Sequence, residues 1–320
     1  MIDRMGSDQL GPLSLNDPQG DRSPPPGAGL RRMAESIGGG EVEHVRPLDA
    51  GIGAITHELS IGSQRLVLKR FTEQPSGASE EFHNLTLALR ARVPTPAPVA
   101  LDEDGRWFGS PALVMSLLPG AHNVFPVDAD CWMRELARAL AAIHDVSAVE
   151  DGIHRRPRWA RWTPWPDDPS PRLRRVTETI AELRTMAPLE PPVFSHDDFH
   201  PGNVLFEGDV LTGVVDWGEI TFEPRQAGVA YCRHCLAIFP GDDAPDRFLA
   251  AYEAEARVRL ADLSWWDVLC GTRGLQPVDH WLPAMAALGL NVAADDVRHA
   301  SEEWVDRALA RASRASGPRP

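Results

Sequence analysis

Residues Ser195 to Gly218 constrain this chain more than any other stretch. They read Ser-His-Asp-Asp-Phe-His-Pro-Gly-Asn, then two short apolar runs, then Asp216-Trp217-Gly218. Val204 to Phe206 and Val210 to Val215 have the composition of strands, and Glu207-Gly208-Asp209 between them has that of a turn. A hairpin folds its ends back together, so Asn203 and Asp216 are expected to finish close in space. Two oxygen ligands converging beside a third carboxylate, Asp198, make a site for Mg2+ that faces a proton acceptor. An alternative for His196, Asp198 and His200 is a metal cluster, because alternate residues of a strand share a face. Pro201-Gly202 ends any strand there, so a loop is the better reading, with both histidines bracing it.

The second constraint is a single residue. Lys69 is the only lysine in the chain, and every other fixed cation is arginine. It lies in an apolar strand, Leu66 to Phe71. An ammonium is a compact three-donor charge that reaches between phosphate groups better than a planar guanidinium. The plainer alternative is an edge-strand lysine that deters pairing with other chains. Before it, Asp49 to His57 forms a small-residue turn in which Gly51 and Gly53 are the permissive positions. No G-x-x-x-x-G-K-[ST] run occurs, which argues against a P-loop fold. After it, Ser79 to Leu89 reads as a helix with Phe82, Leu85 and Leu89 on one face. Glu81 at its start is placed to pair with Lys69, with Glu80 as the competitor. Helix-start glutamates are also common for dipole reasons.

Residues 1–42 are rich in Gly, Pro, Ser and Asp and are expected to form a flexible tail. Residues 43–118 are strand-rich with one helix. An extended connector, Pro94 to Pro98, leads to an apolar strand, Ala112 to Ser116, which ends at Pro119-Gly120. Backbone groups around Met115, Ser116 and Leu118 could hydrogen-bond an adenine edge, or simply end the strand. From 119 to 312 the pattern turns helical, with apolar faces such as Trp132, Leu136, Leu140 and Ile143 behind an Asp128 cap. Further helices are read at Arg172–Met186, Asp246–Val258, Ser264–Leu275, Asp279–Leu288 and Asp295–Ala312, and residues 313–320 as a frayed end. The reading is therefore α+β in two lobes, an antiparallel sheet with one helix followed by a larger, mainly helical part.

A formal charge of −14 argues against a nucleic-acid partner. Acidic pairs such as Glu80-Glu81 and Asp242-Asp243 read as solvated faces, or as the lining of a cleft for a cationic substrate. No run approaches a membrane span or a leader segment, so a soluble cytoplasmic protein is expected. Cys232 and Cys235 have the C-x-x-C spacing but no second ligand pair, and read as packing on a helix. Trp159, Trp162 and Trp165 either stack on a substrate or cover the core.

Taken together, His196 to Asn203 with Asp216-Trp217-Gly218 resemble the aminoglycoside phosphotransferase family, small-molecule kinases with the protein-kinase-like fold. The resemblance covers residues 45 to 312. It implies Asp198 as catalytic base, Asn203 and Asp216 as Mg2+ ligands, Lys69 on the ATP phosphates with Glu81 behind it, and adenine near Met115 to Leu118. The implied reaction is phosphorylation of a hydroxyl on a small molecule, such as an antibiotic or a metabolite alcohol, with GTP as the alternative donor. Three positions depart from the family pattern: Asp197 replaces the usual glycine, Gly228 a frequent aspartate, and Ser116 a frequent glutamate. A nucleotide-binding pseudokinase would lack the lysine, the base or a metal ligand, and none is lacking. A protein kinase would carry Ala-Pro-Glu after Asp216 and an arginine before Asp198, and neither is present.

Overall fold

The structure, a computed structural model, describes residues 24–48, 54–72, 74–146, 155–164, 170–238 and 243–315. Gly51, Gly53 and Trp165 lie outside the described residues, as do residues 1–23 of the expected tail. Five strands, β1 (Val42–Pro47), β2 (Ile55–Ile61), β3 (Gln64–Arg70), β4 (Pro98–Asp102) and β5 (Ala112–Ser116), form an antiparallel sheet in the order β1-β2-β3-β5-β4. β3 is the central strand, with Lys69 opposite Thr56 on one side and Leu113 on the other. The edge-strand alternative for Lys69 is thereby removed.

Alternation along the strands assigns two faces. Leu66 and Leu68 of β3 share one face with Leu59, Ile61, Ala112 and Val114. Val67 of β3 and Leu113 and Met115 of β5 belong to the cluster on the other face, packed with helix α2 (Gly77–Ala88). Lys69, two residues from Val67, shares that second face. Ala78, Glu81, Leu85 and Ala88 form the buried stripe of α2. Leu89, expected on that stripe, is 49% exposed because it lies at the helix end and Ala88 takes the inward place.

The expected tail needs correction. Gly27–Ser36 is a helix, α1, and it closes the first face of the sheet. Leu30, Met33, Ala34 and Ile37 lie at i, i+3, i+4 and i+7, an amphipathic stripe too short to change the average composition of the segment. Met33 is fully buried. Gly29 permits the contact, since a Cβ there would meet the Phe108 ring at 2.5 Å. Arg32 locks it by donating to the Arg106 and Trp107 carbonyls at 3.0 and 2.6 Å.

The remaining chain carries α3 (Ala129–His144), α4 (Arg158–Arg161), α5 (Pro171–Met186), α6 (Arg225–Ile238), α7 (Ala244–Ala256), α8 (Leu263–Gly271), α9 (Leu282–Ala287) and α10 (Ala294–Ala315). Asp128 caps α3 as read, its carboxylate accepting from the Asp130 and Cys131 amides at 3.0 and 2.9 Å. Helices read as single pieces at Ser264–Leu275 and Asp279–Leu288 each split, one ending and one beginning in a 3₁₀ turn. The last helix runs on to Ala315, three residues into the segment read as frayed, with Ser313 bonded back to Leu309. Arg233 joins α6, α7 and α8: its Nη1 donates to both oxygens of buried Asp267 (2.9 and 2.6 Å) and its Nη2 to Asp246 at 2.8 Å. Cys232 is buried in the core, and Cys235 and the Trp159 and Trp162 side chains pack against it. No helix among the described residues is long and apolar enough to cross a membrane.

Five short strands frame the central motif: β6 (Ala121–His122), β7 (Pro192–Ser195), β8 (Val204–Glu207), β9 (Val210–Val214) and β10 (Thr221–Pro224). The expected hairpin is β8–β9, flanked by β6, with Gly208 in the left-handed region at its turn. β7 enters the loop and pairs with β10 beyond Gly218. Both ends of the Asp198 loop and both ends of the Asp216 segment are thus fixed by ladders.

Candidate active site

The loop that follows β7 is held by its own histidines. His196 Nδ1 accepts the Asp198 amide at 3.3 Å, and its Nε2 lies 3.0 Å from the Val215 carbonyl, which fixes the tautomer with the proton on Nε2. Burial lowers the pKa of His196, so the ring is a neutral brace. His200 Nδ1 accepts from the Gly202 amide at 3.1 Å, while its Nε2 is 3.8 Å from Asp198, beyond hydrogen-bond reach. The bracing role expected for both residues accounts for these contacts.

The hairpin does bring its ends together. The Val215 amide donates to the Asn203 carbonyl at 2.9 Å. The Asn203 amide nitrogen donates to the Asp198 carbonyl at 2.9 Å and to its carboxylate at 3.1 Å. Its amide oxygen has no partner among the described residues and remains available as a ligand. On the far side, Lys69 Nζ donates to Glu81 at 2.6 and 2.9 Å and to Asp216 at 3.0 Å. Glu81, not exposed Glu80, is the partner of the lysine. Burial opposes the charge on Lys69, but Asp216 and Glu81 outweigh it and drive the pKa well above the usual lysine value.

Asp216 has φ 63°, a left-handed conformation that aspartate tolerates better than most residues. Trp217 is fully buried and its indole N–H donates to Val214 at 2.9 Å, which anchors that turn. Asn84, missed in the sequence, donates from α2 to the Trp217 and Gly218 carbonyls at 2.9 and 3.1 Å. It stands three residues after Glu81 on the same buried stripe, and a polar residue there was the signal. One helix thus positions both the lysine partner and the Asp216 turn.

Asp198 receives a 2.5 Å bond from the Tyr231 hydroxyl and a longer contact, 3.5 Å, from Arg273. Burial pushes its pKa up, but His200, Arg273 and Tyr231 together hold it far below the usual carboxylate range. His200 is itself kept neutral by burial near pH 7, so Arg273 and the Tyr231 hydroxyl are the groups that act at that pH. Neither Tyr231 nor Arg273 was legible in the sequence, because each comes from a helix far along the chain. We expect Tyr231→Phe to move the acid limb of kcat/KM to higher pH. The Asp198 pKa is depressed, so its ionised form persists as pH falls, and loss of a donor to the carboxylate narrows that range. Titration of the Asp198 carboxyl NMR signal carried below about pH 4 in wild type and variant reads the same shift directly, and coincident curves would refute it.

The three departures from the family pattern each have a local account. Asp197 has φ 60°, the conformation for which glycine is favoured, and its buried carboxylate is bonded by Arg155, Arg158 and Arg161. A Cβ at Gly228 would meet His144 Nε2 at 2.9 Å, so α6 packs directly on the end of α3 where the family carries a side chain. Ser116 accepts the Ala97 amide on its hydroxyl at 2.8 Å. At the hinge, the Ser116 and Leu117 amides are already bonded to Ala97 and Arg65, at 2.9 and 3.1 Å. The Leu118 amide alone of these three has no partner among the described residues. Met115 is buried beneath the hinge.

A Mg2+ ion fits the donor set. Asn203 and Asp216 offer neutral and anionic oxygen, and among the described residues no cluster of three or more His, Cys, Asp or Glu side chains could hold a metal by itself. Mg2+ is ordinarily held in this way, by one or two protein oxygens completed by phosphate and water.

Comparison with known proteins gives the family and the fold. The model of the phosphotransferase enzyme family matches residues 44–263. A homoserine kinase of Methylocella silvestris is 27% identical over 231 residues, 67% of this chain and 71% of that protein. Another, from Methylobacillus glycogenes, is 25% identical over 85% of this chain and 89% of its own length. Among solved structures, a thermostable aminoglycoside phosphotransferase in ternary complex with ADP and hygromycin B superposes with TM-score 0.62 at 16% identity, covering 91% of this chain and 99% of that one. A macrolide 2'-phosphotransferase of Brachybacterium faecium gives 0.54 at 17% identity, covering 90% and 97%. The fold is protein-kinase-like.

Proposed function

From the premise that the chain belongs to the phosphotransferase enzyme family, and is a small-molecule kinase, we propose that it transfers the γ-phosphoryl group of ATP to a hydroxyl of its acceptor. The observation that carries this reading is Lys69 Nζ held between Glu81 and Asp216, at 2.6 and 3.0 Å, across from Asp198. Phosphoryl transfer passes through a loose transition state in which positioning and charge neutralisation do most of the work.

Lys69 presents its ammonium to the α- and β-phosphates. Glu81 orients it, and the nucleotide displaces its contact with Asp216. Asn203 and Asp216 would hold Mg2+, which would neutralise charge on the phosphate oxygens. Asp198 orients the acceptor hydroxyl and takes its proton. A carboxylate held so far ionised is a weak base, which suits a reaction whose nucleophile needs little activation before bond formation. The adenine edge lies against the Leu118 amide and the Ser116 carbonyl. Homoserine, hygromycin B and macrolides, the molecules named with the relatives, all carry a free hydroxyl, and that is the acceptor chemistry assigned here.

The direct test is ADP formation from Mg-ATP, with Mg-GTP as the alternative donor, across hydroxylated amino acids, metabolite alcohols and antibiotics, with mass spectrometry of the product. Lys69→Met should raise KM for nucleotide and lower kcat/KM by at least ~10²-fold, the loss of a charge that grips the transferring group. A variant with unaltered nucleotide kinetics would remove Lys69 from the site. Nucleotide binding without any turnover would favour a pseudokinase instead.

A further inference from the structure

We propose that the acceptor carries a carboxylate and that Arg273 binds it, a reading that rests on the phosphotransfer assignment above and narrows its substrate. Arg273 lies in the 3₁₀ turn after α8. Its guanidinium faces the Tyr231 ring at 4.9 Å and the Trp281 ring at 6.0 Å. Aromatic faces on an arginine fix the plane of its fork and remove water from it without consuming its hydrogen bonds. One nitrogen, Nη1, reaches Asp198 at 3.5 Å, well beyond the 2.7–2.9 Å of a strong charge-assisted bond. Tyr231 holds the same Asp198 oxygen at 2.5 Å, so the carboxylate has a nearer donor. Arg273 makes no other side-chain hydrogen bond among the described residues, and its side chain is 36% exposed.

The contrast with the other arginines of this region is instructive. Arg155, Arg158 and Arg161 are all bonded to Asp197, and the two terminal nitrogens of Arg233 are taken by Asp267 and Asp246. Arg273 is oriented, partly desolvated and left with its planar fork open beside the group that must meet the acceptor hydroxyl. A hydroxyl hydrogen-bonded to Asp198 places the carbons that bear it within a few ångströms of that fork. A planar two-oxygen anion matches five fixed donors bidentately. A phosphate dianion is the poorer match, because Asp198 and Glu219 both lie close enough to interact with Arg273.

The test compares matched acceptors. L-homoserine, glycerate and 3-hydroxybutyrate are each assayed against their primary amides, with hygromycin B as a polycationic alcohol, using the full-length chain, Mg-ATP and ADP release. The wild type should prefer at least one acid over its amide by more than ~10-fold in kcat/KM, since a bidentate charged pair replaces a neutral contact. Arg273→Gln should bring that ratio close to one. Arg273→Lys, which keeps the charge without the fork, should give an intermediate ratio and also guards against a folding defect in the first variant. The ratio is unaffected by a general loss of activity, which a purely structural role would produce. Turnover of amides or hygromycin B at the expense of the acids, or an acid preference that survives in Arg273→Gln, overturns the proposal. So does ADP release that depends on Asp198 yet is raised by none of the acids, in which case phosphotransfer stands. Should no ADP form, or Asp198→Asn leave it unchanged, the phosphotransfer reading fails first and takes this one with it.

Discussion

Asp198→Asn is expected to lower turnover by ~10²–10⁴ while Mg-nucleotide still binds. The substitution preserves shape: the amide oxygen can replace the carboxylate oxygen that accepts from Asn203 Nδ2, and the amide nitrogen, in place of the other oxygen, can donate to the Tyr231 hydroxyl oxygen. What it removes is the negative charge proposed to take the acceptor's proton. Binding should survive because Lys69, proposed to grip the phosphates, bonds Glu81 and Asp216, and none of these three is hydrogen-bonded to Asp198 among the described residues. Steady-state turnover measures the first effect and calorimetric titration with Mg-nucleotide the second. Equal turnover in wild type and variant would exclude Asp198 from the chemistry. Loss of nucleotide binding together with turnover would instead show that the two halves of the site fold as one unit.

The second large effect concerns stability. Asp197 is buried, and the guanidinium groups of Arg155, Arg158 and Arg161 all converge on its carboxylate. Burial pushes the Arg161 pKa down and its neighbours Arg155 and Arg158 add repulsion, opposed chiefly by Asp197. Nearby Glu223 does little to help, since burial and Asp197 push its carboxyl up to about 8 and leave it mostly protonated at neutral pH. Removing one member of a buried charge cluster leaves the others uncompensated and costs about 3–5 kcal/mol. Asp197→Asn should therefore lower Tm by on the order of 10 °C. Asp197→Ala should be worse than Asp197→Gly by about 1 kcal/mol, because alanine meets the steric cost of φ 60° and glycine does not. Thermal unfolding of the three variants at fixed salt reads both effects. Melting at the wild-type temperature in Asp197→Asn would mean that the arginines are neutralised elsewhere. Asp197 also joins the segment at 155–161 to the loop of Asp198, so activity should fall with stability in the same variants.

How far the sequence reached is clear from particular residues. The hairpin from Val204 to Val214 was legible because turn and strand signals are local, and with it came the meeting of Asn203 with the Asp216 segment. Lys69 was legible through its uniqueness, and its contact with Glu81 only needed the order strand, then helix. Helix α1 was not, since a four-residue stripe is diluted within a Pro- and Gly-rich segment. Tyr231 and Arg273 were not, because nothing in their own neighbourhoods marks them as facing Asp198, 33 and 75 residues away.

What the sequence determined by itself is the set of groups that can grip a phosphate and accept a proton, because their spacing is set by a hairpin and a loop. What only the tertiary structure decided is what surrounds them. Long-range packing of α4, α6 and the turn after α8 places three arginines on Asp197 and one arginine, with its fork open, beside Asp198. Charge acts through space and not along the chain, so the character of the acceptor site is a property of the fold.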